Sequence, residues 1–265
     1  MRKQIITLVF SGLVFSGLLI TGIAITFSKK SNHTDHSVID EVVRAHNLAL
    51  TQDASAAFVA EATKVLRFHT DSKSAAPGTM ECQVTVAYNG SLFIHRLVDP
   101  QGSFEQIDLL ENGAGYRTAI EAGSRTKTAA PLGSADYESL KFRVMSFGLI
   151  PILKQLQEPT VEVLHHEGTE ADQERLTVKI ASNIWTVYVD QEHLIRKIER
   201  VRERRNLTIE YLDYHTVGGA QLPFTERISV DGRLTYELFF TRIERNPSFP
   251  DDYFSREALA KRGGR

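Results

Sequence analysis

The stretch Tyr211-Leu-Asp-Tyr-His-Thr-Val-Gly-Gly-Ala-Gln-Leu-Pro-Phe224 is followed by Ile228-Ser-Val-Asp-Gly-Arg-Leu234 and then by Asn246-Pro-Ser-Phe-Pro-Asp-Asp-Tyr-Phe254. Read physically, it is strand, turn, strand, turn, strand, and then an extended tail. Gly218-Gly219 and Asp231-Gly232 supply the positive φ angles of two tight hairpin turns, each between residues of high strand propensity. Pro247 and Pro250 deny the chain two N–H donors after the last strand, so pairing stops there, and Phe249 and Phe254 are placed to pin the tail back onto the body.

Working outward, the same period of two recurs along most of the chain. Cys82, Val84, Val86 and Tyr88 share one face, Asn89-Gly90 is a strong hairpin signal, and Leu92, Ile94 and Arg96 follow. Strands are expected at 104–110 and 116–122, around the turn text Asn112-Gly113-Ala114-Gly115, and again at 160–166, 174–181, 184–190, 194–202, 207–214, 222–230 and 234–243. The total is about eleven, which predicts a mainly β (α+β) fold with one large antiparallel sheet. Because twist accumulates, so long a sheet should curl into an open barrel.

Helical spacing appears in four places. Val38, Val42, Ala45 and Ala49 predict one amphipathic helix; Phe58, Ala62, Val65 and Leu66, with Asp53 as N-cap, predict a second. Asp136 is placed to cap a third running through Leu140, Val144 and Phe147, with a break at Gly148 and Pro151 before a short fourth ending at Pro159. These apolar stripes must be buried, so the helices should cover the concave face and leave an apolar cavity between helix and sheet.

A formal net charge of −2 on 265 residues excludes the basic excess that phosphate contacts demand, so no nucleic-acid partner is expected. Cys82 is the single cysteine, which rules out an internal disulfide and a cysteine-built zinc site. It lies far from the N-terminus, so lipid attachment there is not expected either. Ile5 to Phe27 is an uncharged apolar run of about 23 residues between Arg2-Lys3 and Lys29-Lys30, long enough to span a bilayer. It predicts membrane attachment through residues 5–27, as an uncleaved signal anchor or a cleaved signal peptide, with the body outside the cytoplasm. The expected organisation is 1–30 anchor or signal, 31–37 polar linker, 38–254 body and 255–265 polar tail.

Motifs for catalysis are missing: there is no Gly-x-Ser-x-Gly elbow, phosphate loop, dinucleotide fingerprint or His-Glu-x-x-His helix. His165 and His166 are strand neighbours that point to opposite faces, so no metal site is expected, and no cofactor. Carboxylates such as Asp108 and Glu111, or Asp251 and Asp252, are not singled out as an acid–base pair. The candidates that remain concern binding. Aromatic and apolar residues placed to line a cavity are Trp185, Tyr188, Tyr211, Phe224, Tyr236 and Phe240 on strands and Leu149 and Leu153 on the short helix. Strand alternation also sets Arg196, Arg200, Arg202 and Arg204 on one face, which suits anionic lipid headgroups or an acidic partner.

Three segments resemble one family: Trp185-Thr-Val-Tyr-Val-Asp190, Asp213-Tyr-His-Thr-Val-Gly-Gly-Ala-Gln-Leu-Pro223, and Asn246 to Phe254. In this order and spacing the chain resembles the LolA/LolB-like periplasmic lipoprotein-sorting proteins. The resemblance implies an incompletely closed antiparallel barrel capped by helices, with a lipid or lipoprotein acyl chain bound in the hydrophobic space between. It implies a non-enzymatic domain in the bacterial periplasm; the apolar run at 5–27 adds the expectation of a single-pass tether to the inner membrane. The alternative is an envelope protein-interaction or sensing module on the same scaffold, with Arg196 to Arg205 as its contact face. The carriers of that family are soluble and its outer-membrane receptor is lipidated, so a helix-tethered chain departs from both.

Overall fold

The two halves of the chain are antiparallel meanders that meet in the middle of one sheet. A computed structural model describes residues 35–46, 57–68, 78–90, 92–102, 104–121, 129–168, 173–180, 183–202 and 205–258. All belong to the second of two compact units, Asn32–Arg265. The expected membrane segment at 5–27, the break at 51–53 and Arg204 lie outside the described residues. Among the described residues no helix is long and apolar enough to cross a membrane.

The first meander comprises β1 (Phe58–Phe68), β2 (Gly78–Asn89), β3 (Leu92–Val98), β4 (Phe104–Glu111), β5 (Ala114–Glu121) and the two-residue β6 (Ala130–Pro131). The second comprises β7 (Glu162–Gly168), β8 (Glu174–Ile180), β9 (Asn183–Val189), β10 (Ile195–Arg202), β11 (Arg205–Val217), β12 (Ala220–Val230) and β13 (Arg233–Arg245). The strand order β6-β5-β4-β3-β2-β1-β13-β12-β11-β10-β9-β8-β7 leaves β6 and β7 as the edges of an open, wholly antiparallel sheet. Thirteen strands replace the expected eleven or so.

Turn chemistry sets the register. At Asn112-Gly113, Gly218-Gly219 and Asp231-Gly232 both central residues have positive φ, and each pair closes a two-residue loop between directly paired strand ends. This is the mirror-image turn that follows the twist of a hairpin.

One expected element is corrected. Residues 58–68 form β1, next to β13 at the centre of the sheet, where a helix capped by Asp53 was expected. Phe58, Ala60 and Ala62 alternate onto the buried inner face, but two alanines and then Lys64 give that face a weak apolar signal, while Val65 and Leu66 complete a spurious helical spacing. Tertiary pairing on both sides overrides the local pattern.

Three helices cover the inner face: α1 (Asp35–Ala45), α2 (Ser134–Ser146) and α3 (Leu149–Leu156). Asp136 lies in the first turn of α2; the N-cap is Gly133. The break falls at Gly148 (φ 69°), and Pro151 is accommodated in the first turn of α3, where its missing N–H costs nothing. Helix α2 touches β4 and β5, α3 touches α1, α2 and β12, and α1 touches β7. Strands β4 and β7 are ten apart in the sheet order, roughly 50 Å if flat at about 4.8 Å per strand. Three helices packed about 10 Å apart span less than that, so the sheet curls around them.

The main core joins the three helices to the inner face from β3 across the sheet to β8. A second, smaller core lies on the outer face, where Phe254 (5% exposed) packs with Ala87, Ile94, Ile107 and Leu109, and Phe249 and Tyr253 cluster against it. The tail is therefore pinned across the back of the first meander. Packing runs on to Ala258, which is buried, with Arg256 over the Tyr116 ring.

Candidate functional site

The inner face carries a continuous apolar floor. Val86 on β2, Ala60 on β1, Phe240 and Leu238 on β13, Ile228 on β12, Ile209 on β11 and Ile198 on β10 are all buried there. Against it lies α3, in which Leu149, Ile150, Pro151, Ile152, Leu153 and Leu156 are buried. A helix so nearly apolar all round has to be enclosed on most sides, as its neighbours α1, α2 and β12 enclose it.

The cavity expected between helix and sheet is filled by α3. A void of about 20 Å³ remains beside Phe58, Ala60, Phe147, Leu149, Leu222 and Phe240, room for a single water at most. Gly148, the positive-φ link between α2 and α3, forms part of its wall.

Polar groups interrupt the floor at three stations. At the first, Asp108 on β4, fully buried, accepts hydrogen bonds from Arg117 Nε (2.7 Å), Arg143 Nη1 of α2 (2.9 Å) and Gln106 Nε2 (2.9 Å). His95 lies 3.4 Å from Arg143 and is held neutral by burial and then by that guanidinium, its pKa far below the ordinary imidazole value. This network docks α2 on the first meander.

At the second, Lys64 Nζ stands 4.1 Å over the Tyr236 ring. Burial, followed by the charge of Arg143, pushes its pKa down to about 8. At the third, Glu226 on β12 and Tyr211 on β11 face each other across the strand pair. Glu226 Oε1 and the Tyr211 hydroxyl have no hydrogen-bond partner. Burial pushes the Glu226 carboxyl up to about 8, opposed by one hydrogen bond from the Gly148 N–H.

His46 holds the end of α1 onto the second meander. Its Nδ1–H donates to the Val42 carbonyl (2.8 Å), its Nε2 accepts from the Ile195 N–H (3.4 Å), and its own carbonyl accepts from the Gln221 N–H (3.0 Å). Burial pushes its pKa down to about 4.

The sequence-derived candidates divide. Trp185, Tyr211, Phe240, Leu149 and Leu153 are buried together in the main core, and Phe224 and Tyr236 are partly buried against it. Tyr188 is on the other face of β9 from Trp185: its ring lies under Lys197 (3.8 Å) and its hydroxyl donates to Glu199 (2.8 Å). Arg196 is displaced by a bulge between Ile195 and Lys197, pairs with Asp190 (2.6 Å) and stacks on Tyr214. Arg200 stacks on Trp185 and bonds Asn183. Nothing is described of the Arg202 side chain. His165 and His166 bond different carboxylates, Glu167 and Glu174, and no metal-binding cluster occurs among the described residues.

Sequence reasoning placed the break at Gly148 but passed over Glu226, Lys64 and Arg143. For Glu226 a signal existed: it stands between Phe224 and Ile228 at the positions that alternation assigns to one face.

No protein-family model matches the chain, and no curated protein matches it. Solved structures do. A putative outer membrane lipoprotein-sorting protein domain from Vibrio parahaemolyticus aligns over 87% of this chain and 100% of its own, with TM-score 0.53 and 11% identity. A DUF1329 family protein from Desulfovibrio piger covers 85% and 98% (TM-score 0.51, 12% identity), and a LolA superfamily protein from Nitrosomonas europaea covers 84% and 98% (TM-score 0.50, 12% identity). The fold is LolA/LolB-like. At these identities the likeness concerns architecture, and the chemistry of the concavity has to be argued from its own residues.

Proposed function

We propose that this domain binds the acyl chain of a lipid or lipoprotein on the inner face of its sheet, without catalysis, in the periplasm of a bacterium and tethered to the inner membrane through residues 5–27. The observation that carries the reading is the covering of the apolar floor: one eight-residue helix, α3, hinged at a positive-φ glycine, occupies the concavity with its own side chains. An acyl ligand would need a pocket of some hundreds of Å³, so it takes the place of α3. The exchange is energetically balanced. Withdrawing five buried Leu and Ile side chains costs roughly 7–15 kcal/mol, and burying a sixteen-carbon chain returns about 13 kcal/mol.

Protein purified from its membrane, extracted with organic solvent and analysed by mass spectrometry should yield stoichiometric acyl lipid or lipoprotein. Protein that carries none, and takes up none when incubated with lipid, would count against the reading.

A second reading has its own observation. At the far end of β9–β11 an open cleft of about 660 Å³ is lined by Ile184, Thr186, Glu199, Arg200, Val201 and Leu207. Ile184 (55% exposed) and Val201 (68%) set large apolar side chains in solvent there. This end of the sheet, with Arg200, suits contact with an envelope protein.

A further inference from the structure

The floor of the concavity carries a polar spot whose chemistry indicates which part of a ligand lies on it. Glu226 and Tyr211 are directly opposed on β12 and β11 and project to one face. They are 1% and 0% exposed, and Glu226 Oε1 and the Tyr211 hydroxyl have no partner. Leaving a buried polar atom unsatisfied costs about 1–3 kcal/mol, so two such atoms on directly paired residues mark a place where something else bonds. Glu226 also lines the small void under Phe147 and Gly148.

The neighbours narrow the choice. The groups that face Glu226 are Tyr211 and Tyr214 from β11, Tyr236 from β13, and the uncharged Phe147, Gly148 and Leu149 from the α2–α3 link. None is a cation. A free carboxylate or phosphate would lack a counter-charge there, and an ammonium would have to be desolvated among apolar side chains. Burial keeps the carboxyl protonated at neutral pH. Glu226 Oε1 has no partner and is free to carry a donated proton. An uncharged acceptor fits this arrangement.

Building on the acyl-chain reading above, we propose that Glu226 and Tyr211 donate hydrogen bonds to the carbonyl of an acyl ester or amide, whose chain then lies over Phe58, Ala60 and Phe240. The spot thus recognises the linkage rather than the headgroup. Gly148 remains bonded to the same carboxyl, which ties capture of the carbonyl to the position of the link that carries α3.

A competition tests the proposal. The full chain in non-ionic detergent is incubated with equal amounts of ester-linked and ether-linked phosphatidylglycerol of the same chain length, and bound masses are compared by native mass spectrometry. At pH 6.5 the ester lipid should be retained roughly five- to tenfold over the ether, the equivalent of one hydrogen bond. The preference should decline at pH 9, where the carboxyl no longer donates. Glu226→Gln, whose amide donates at both pH values, should keep the preference at pH 9, and Glu226→Leu should lose it. Equal retention of the two lipids by the unmodified chain at pH 6.5 would overturn the carbonyl anchor and leave acyl binding standing; retention of neither would overturn both. A preference that persists in Glu226→Leu, or that grows with pH, would also overturn the anchor. If Glu226→Leu does not fold, Glu226→Gln and the pH series still decide.

Discussion

Glu226 is a carboxyl at a position where its strand calls for an apolar side chain, and that mismatch has a measurable signature. Its folded pKa of about 8 exceeds the ordinary 4.5. Between those values the folded protein holds a proton that the unfolded chain has released, so stability falls as pH rises and levels off above about 8. His46 has the opposite sign: its folded pKa of about 4 lies below the ordinary 6.5, so its contribution is lost as pH falls through that range. The two slopes oppose each other between about 4.5 and 6.5. Lys64, lowered from 10.5 to about 8, favours the fold increasingly at higher pH still. The window from about 6.5 to 8 therefore belongs to Glu226. Across it the protein should lose about 2 kcal/mol of unfolding free energy in urea titrations, and Glu226→Gln should lose none. A parallel decline in the variant would mean that the carboxyl is already ionised in the fold.

At the scale of elements, the strands with two-residue turns were legible, because Gly218-Gly219 and Asp231-Gly232 admit few other conformations. The tail was legible for a similar reason: two prolines end the pairing and aromatic side chains remain to be buried. Phe254 fills the outer core between the strands of the first meander, so Phe254→Ala should destabilise the fold by about 3–5 kcal/mol, measured by urea unfolding. A loss under 1 kcal/mol would mean that the tail is only loosely seated. Strand β1 was not legible, since alanines and a lysine on its inner face leave little for a periodicity argument to detect. The site was legible in part. Leu149 and Leu153 follow from an apolar helix that must be buried. Tyr188 was chosen for its aromatic ring, but it stands three residues from Trp185, an odd step that turns it to the opposite face. The bulge that displaces Arg196 leaves no mark in the residue pattern, and the pairing of Glu226 with Tyr211 depends on register across two strands.

On the scale of the whole molecule, the first and last strands of the sheet domain meet at its centre, with Phe58 opposite Arg245. The floor of the concavity thus cannot be complete until both meanders have formed, and contacts this distant in sequence favour slow folding. Such a closure suits a rigid frame that carries one movable part. In the proposed binding mode the frame is the pairing of β1, β2 and β13 and the part that moves is α3, which follows Gly148 and packs on the floor through its Leu and Ile side chains. In that binding mode acyl ligand and α3 occupy the same space. Hydrogen exchange followed by mass spectrometry, on the protein with and without bound acyl lipid, measures this directly. Amides of α3 should exchange faster in the lipid-bound protein while those of β1 and β13 remain unchanged. Lipid bound at stoichiometry with α3 exchange unaltered would contradict the claim.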